Sequence, residues 1–211
     1  INCFIINLKR CPEKRERITK RMENYPEIKY EFFDAIDGQE ITQEFMDQHN
    51  YKILDEWTEP FHNRKTTKGE IGCTLSHYGV YQKVLQSKHD ITLILEDDAE
   101  FSDKFIEKLK TTINHLNGID WEMCYLGRNK MNINEDELKI NDGLLYPSYS
   151  YWTIGYLINK KFCNNIIQSN LLTNIIVIDE YLPLVGDINM YKQYRKFYDN
   201  KIKIVSVIKN I

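Results

Sequence analysis

Ile91-Thr92-Leu93-Ile94-Leu95-Glu96-Asp97-Asp98-Ala99-Glu100-Phe101 decides the fold class of this chain. An apolar run rich in strand-forming residues closes abruptly on three consecutive carboxylates. A run this short, bounded by charge, reads as a buried strand rather than a helix. Buried strands of α/β sheets present ligand-binding groups at their carboxyl ends, so the acids are placed at the mouth of a cleft.

Clustered carboxylates repel one another and call for a positive partner. A hard divalent cation shared with a phosphate-bearing substrate supplies one. Strand alternation puts Glu96 and Asp98 on one side and Asp97 on the other. That spacing resembles the Asp-x-Asp motif of nucleotide-sugar transferases, with Glu in first position. Acids also suit the first turn of a helix, and Ser102 to Leu116 reads as helical.

Outward from that strand the chain alternates between strand and helix patterns. Cys3 to Leu8 reads as a first strand, Lys9 to Met22 as a helix opening near Pro12, and Tyr30 to Gly38 as a second strand ending in a turn. Glu40 to Asn50 suits a short helix. Tyr51 to Lys68, with Trp57, Pro60, Phe61 and His62, is polar and aromatic and reads as a loop or lid. A helix follows from about Cys73 to Ser87. Trp121 to Gly127, Tyr149 to Ile158 and Ile202 to Val207 read as strands, Lys160 to Leu172 as a helix, and Asn129 to Gly143 as a surface excursion. Ile175 to Glu180 repeats the apolar run closed by acids. The expectation is one α/β domain over residues 1–211, with a mixed, mostly parallel sheet flanked by helices.

With 211 residues and a formal net charge of -3, the composition argues against a nucleic-acid binder. No apolar run approaches the length of a membrane span. Five cysteines, scattered and without Cys-x-x-Cys spacing, point to reduced thiols in a cytosol-like compartment rather than zinc or disulfides.

Several segments in order resemble glycosyltransferase family 25. These are Ile6-Asn7-Leu8-Lys9-Arg10 with Pro12, Arg15 and Arg17, then Ala35-Ile36-Asp37-Gly38, Gly69-Glu70-Ile71-Gly72-Cys73-Thr74-Leu75-Ser76-His77, and Leu95-Glu96-Asp97-Asp98. Tyr125-Leu126-Gly127-Arg128, Tyr149-Ser150-Tyr151-Trp152-Thr153 and Asp179-Glu180-Tyr181-Leu182-Pro183 resemble the collagen galactosyltransferases within it. The resemblance implies a GT-A type, Rossmann-like fold, UDP-galactose as donor, Mn²⁺ as metal, and the hydroxylysine hydroxyl of a collagen-like polypeptide as acceptor. It leaves open a family 25 enzyme with another sugar or a lipopolysaccharide acceptor, and a silent homologue that supports a partner. It also implies a Thr-His-Tyr segment beyond the last strand, outside these 211 residues, without which the metal is expected to be held weakly. Animal relatives work in the endoplasmic reticulum, an alternative to the cytosol-like compartment.

Each candidate residue has a role and a plainer reading. Glu96 and Asp98 are expected to hold the metal, with Asp97 supporting the nucleotide. Asp179 or Glu180 is expected to be the base that takes the acceptor proton in an inverting displacement, although Asp also favours helix caps. Asn7, Leu8 and Arg10 end the first strand, where a uridine diphosphate fits. Asp37 suits uracil or ribose hydroxyls, or simply a turn in which Gly38 takes positive φ. Lys68 and Gly69 offer a helix start to an anion, and Ser76 and His77 are placed to touch the donor. Trp152 is expected to stack on sugar or line the acceptor groove, whereas at least one of Tyr149, Tyr151 and Trp152 is expected to pack in the core.

Overall fold

The computed structural model describes residues 1–60, 63–189 and 191–211. Phe61 and His62, named within the polar loop, lie outside the described residues. Seven strands form one sheet in the order β2-β1-β3-β6-β4-β7-β5. They are β1 (Asn2–Asn7), β2 (Lys29–Asp34), β3 (Ile91–Glu96), β4 (Met123–Lys130), β5 (Leu144–Leu145), β6 (Ser150–Asn159) and β7 (Ile204–Val207). β1 pairs parallel with β2 and β3, and β4 with β7. β6 runs antiparallel between β3 and β4, and β5 antiparallel to β7. All but β5 and β6 therefore point the same way. This is the mixed, mostly parallel sheet of the expected Rossmann-like GT-A fold.

Both faces of the sheet are covered, which explains why its strands read as unbroken apolar runs. Alternate residues go to opposite sides. Phe4, Ile6, Ile94, Tyr156 and Ile158 join one core with residues of α3 (Lys68–Gln86), α5 (Lys160–Ile167) and α6 (Ile178–Val185). Cys3, Ile5, Leu93, Leu95 and Leu157 join the other with α1 (Pro12–Met22) and α4 (Phe105–His115). The remaining helix, α2 (Gln43–Gln48), belongs to a third cluster in which Met46 packs with Ile71 and Leu75 of α3. No helix among the described residues is long and apolar enough to cross a membrane. All five thiols are free, and those of Cys3, Cys124 and Cys163 are buried.

Four local expectations change. α3 begins at Lys68, well before Cys73, because Thr67 and Glu70 form a capping box: the Thr67 hydroxyl accepts from the Glu70 N–H at 3.3 Å, and Glu70 accepts from the Thr67 N–H at 2.7 Å. Arg64 grips the same carboxylate with two hydrogen bonds of 2.8 Å. α4 begins at Phe105 rather than Ser102, since Lys104 adopts φ 59° and breaks the run. The excursion 129–143 is pinned to the sheet, as Arg128 donates to Glu137 at 2.7 Å, Ser150 at 2.8 Å and Ser206 at 2.9 Å.

The largest change concerns Ile175 to Glu180. Only Ile175 makes a strand-like bridge, to Ile53, and the chain enters α6 at Ile178. Residues Tyr181 to Val185 are all buried. A segment apolar on every side serves as a buried helix as readily as a buried strand, and periodicity does not separate the two. Asp179 and Glu180 occupy its first turn, where the helix dipole favours negative charge.

Candidate functional site

The carboxyl ends of β1, β2 and β3 lie side by side, with Ile6 opposite Glu96 and Asn7 opposite Asp34. Beyond them opens a cleft of about 480 Å³. Leu8, Arg10, Asp37, Lys68, Gly69, Ser76, His77, Glu96, Asp97 and Asp98 line it. Segments from the ends of three strands and the start of α3 thus converge as the sequence motifs suggested. Asn7 lies just beneath, buried, with its amide donating to Asp97 at 2.8 Å. Trp152, Asp179 and Glu180 are not part of this lining.

Close packing of two glycines shapes the wall. A Cβ on Gly38 would lie 2.4 Å from the Lys68 carbonyl oxygen, and one on Gly72 would lie 2.6 Å from that of Ile36. Gly38 is thus required for close approach of the 35–38 loop to α3. The positive φ that an Asp-Gly turn permits is not used here, since Gly118 is the only glycine in that region among the described residues. Ser76 secures the same contact: its hydroxyl accepts from the Ile36 N–H at 2.8 Å and donates to the Gly72 carbonyl at 2.6 Å. Its hydroxyl is therefore occupied in holding the wall. Asp37 accepts from the Gln39 N–H at 2.9 Å and from Arg10. These bonds, the backbone one foremost, hold its carboxyl below the usual range.

The acidic floor departs from simple alternation because β3 ends at Glu96 and the chain turns through Asp97 and Asp98. Asp97 therefore joins the cleft lining instead of pointing away. Lys14, absent from the predicted set, bridges it to Asp98, at 3.1 Å from Asp97 and 3.5 Å from Asp98. Lys14 was hard to find because its basic neighbours on α1 are mostly solvated. Its position in the first turn, beside the end of β3, sets it apart.

Glu96 sits deeper. Its Oε1 accepts from the Thr153 hydroxyl at 2.6 Å and faces His77 Nε2 at 3.4 Å. Burial opposes its ionisation, yet His77, Thr153 and Lys14 outweigh burial and hold the carboxyl below its usual range. His77 is fully buried, its Nδ1 lying 2.6 Å from the Tyr156 hydroxyl. It thus acts on the cleft through Glu96.

The two acids of α6 have different surroundings. Glu180 is buried and accepts from the Tyr149 hydroxyl at 2.6 Å, the Tyr151 hydroxyl, and the Asn189 amide at 2.7 Å. The Tyr151 bond ties α6 to β6. Tyr149 is accordingly a core residue, as expected for one of the three aromatics. Asp179 is largely covered and lies within electrostatic reach of Glu96, His77 and Thr153. Burial first, and then the Glu96 charge, push its pKa up to about 6. Thr153, which links the two carboxyls, was a residue that sequence reasoning missed. Trp152 is 46% exposed and takes φ 84°, where the β4–β6 register is irregular. A bulge of that kind re-aims a side chain.

Comparison with known proteins adds a family. Residues 1–182 match the model of glycosyltransferase family 25 (LPS biosynthesis protein). The chain is 31% identical over 202 residues to human procollagen galactosyltransferase 2, covering 94% of this chain and 32% of the relative. It is 31% identical over 199 residues to procollagen galactosyltransferase 1-A of Xenopus laevis, covering 92% and 32%. It is 33% identical over 200 residues to a glycosyltransferase 25 family member of Drosophila melanogaster, covering 94% and 32%. The chain spans about a third of the length of these curated relatives.

Proposed function

The chain belongs to glycosyltransferase family 25, and on that premise we propose that it transfers galactose from UDP-galactose to a hydroxylysine hydroxyl of a collagen-like polypeptide, with inversion and with Mn²⁺. The observation that carries this reading is the single cleft at the strand ends, in which motif residues from distant segments meet. The names of the vertebrate relatives point to galactose and to procollagen.

The cleft is chemically matched to a nucleoside diphosphate. Arg10, Lys14 and Lys68 bring positive charge to its lining, and Lys68 and Gly69 place the start of α3 against it. Asp37 and the 35–38 loop form a polar wall suited to ribose or uracil. The acidic floor fits a divalent cation. Asp98 has a side chain 46% exposed, and Lys14 at 3.5 Å is its one charged partner among the described residues. The Lys14 ammonium sits against Asp97 and Asp98, in keeping with a spot that attracts positive charge. Asp98 and Glu96 would hold the metal, which when bound neutralises charge on the departing diphosphate.

Asp179 is the better of the two candidate bases. Glu180 spends its oxygens on three donors, whereas a carboxyl with pKa about 6 is poised to accept a proton near neutrality. Asp179 takes the acceptor hydroxyl proton as oxygen attacks the anomeric carbon, with Thr153 beside it and the Glu96 charge raising its proton affinity.

UDP release with UDP-galactose and Mn²⁺, with and without a hydroxylysine collagen peptide, tests the reading. Turnover that needs the peptide and is abolished by EDTA supports it. Turnover only with UDP-glucose would change the donor. Failure to bind any UDP-sugar would overturn the enzyme reading in favour of a silent homologue. The family description also names lipopolysaccharide biosynthesis, so a lipopolysaccharide acceptor is the second reading and enters the same assay in place of the peptide.

A further inference from the structure

We propose that Cys73, His77 and Glu96 form a binding site for a thiophilic divalent cation of the zinc class, on the wall of the cleft. Cys73 and His77 are four residues apart on α3 and so share one helix face. Glu96 meets that face from the end of β3. One ligating atom from each of the three side chains lies within 4.8 Å of the others, and all three residues line the cleft. Cys73 and Glu96 are partly exposed there, which gives the cation a route of entry, whereas His77 is buried behind them.

His77 supplies the second, independent observation. Its Nε2 is buried and makes no hydrogen bond, and it faces Glu96 Oε1 at 3.4 Å. That separation is longer than a normal N–H···O bond. It is close to the edge of a tetrahedron drawn with zinc–nitrogen and zinc–oxygen bonds, about 3.3 Å. The sulfur lies within 4.8 Å of both other ligand atoms, against a tetrahedral edge of about 3.5 Å for zinc–sulfur and zinc–nitrogen bonds.

The supporting shell is also built. The Tyr156 hydroxyl lies 2.6 Å from His77 Nδ1, which anchors the ring with Nε2 turned toward Glu96. Thr153 orients Glu96 by donating to Oε1 at 2.6 Å. A histidine whose second nitrogen is held by an oxygen and a carboxylate that is itself hydrogen-bonded are the usual supports of metal ligands. The donor set is sulfur, nitrogen and one oxygen, which selects zinc-class ions over Mn²⁺ or Mg²⁺. As the sulfur–metal bond forms, the Cys73 thiol proton leaves to water, so binding releases one proton.

The test is titration of the metal-stripped protein with Co²⁺, followed by absorbance. The expected result is one equivalent bound with a thiolate-to-cobalt charge-transfer band and tetrahedral visible bands, both bleached by Zn²⁺. Cys73→Ser is expected to lose the charge-transfer band, and His77→Gln to weaken binding at least tenfold. Cys11→Ser, which removes the other partly exposed thiol, is expected to keep the band. Melting curves of the metal-free variants establish that each is folded. No thiolate band in the wild type, or a band that persists in Cys73→Ser, overturns the proposal. Glu96 is shared with the proposed Mn²⁺ site, but the cobalt band reads the Cys73 thiolate and not UDP-sugar turnover, so its failure is distinguishable from failure of the transferase reading.

Discussion

Replacing Asp179 by Asn separates the cost of this carboxylate from its use. The pKa of Asp179 rises from an ordinary 3.8 to about 6, through burial and then the charge of Glu96. The folded chain thus holds this proton more tightly than the unfolded chain does. The carboxyl's favourable contribution is fully present below pH 3.8 and is lost as pH rises through about 6. The interval corresponds to about 3 kcal/mol. Asn keeps the shape without the charge. Asp179→Asn should therefore be more stable than the wild type by about 2–3 kcal/mol near pH 8, and the gap should close toward about pH 4. For a chain of this size that is a rise in Tm of roughly 4–10 °C. Thermal and urea unfolding in EDTA across that range reads the effect directly. Turnover should fall by about 10²-fold or more in the same variant if Asp179 is the general base. A variant equal to or less stable than the wild type at high pH, or a gap independent of pH, would refute the electrostatic account. Undiminished turnover would refute the catalytic one.

Asp98→Ala should abolish Mn²⁺-dependent UDP binding by calorimetry while leaving the melting temperature within a few degrees, because its side chain is half exposed and surface substitutions cost about 0.5 kcal/mol or less. Glu180→Ala strands the Tyr149, Tyr151 and Asn189 donors. It should cost about 3 kcal/mol in urea unfolding, which distinguishes a structural acid from a catalytic one. Gly72→Ala drives a Cβ toward the Ile36 carbonyl, 2.6 Å away. It should cost about 1–3 kcal/mol and weaken UDP binding, since the displaced loop carries Asp37. Unchanged binding with unchanged stability would show that the wall tolerates the shift.

The sequence by itself determined most of the strand-helix alternation and which segments meet at the cleft. Runs such as Cys3 to Leu8 and Ile91 to Leu95 are apolar on both faces because the sheet is covered on both sides, and carboxylates at a strand end mark its mouth. Only the tertiary structure decided what depends on contacts between distant segments. It inserted β6 antiparallel between β3 and β4. It also made Ile178 to Val185 a helix, a choice that an apolar run leaves open until its neighbours are known. Lys14 was set between Asp97 and Asp98, and Glu180 was given three donors while Asp179 was left beside Glu96. Two adjacent acids of one helical turn point about 100° apart, so their different fates follow from what packs on each side. Local sequence carries no record of that packing.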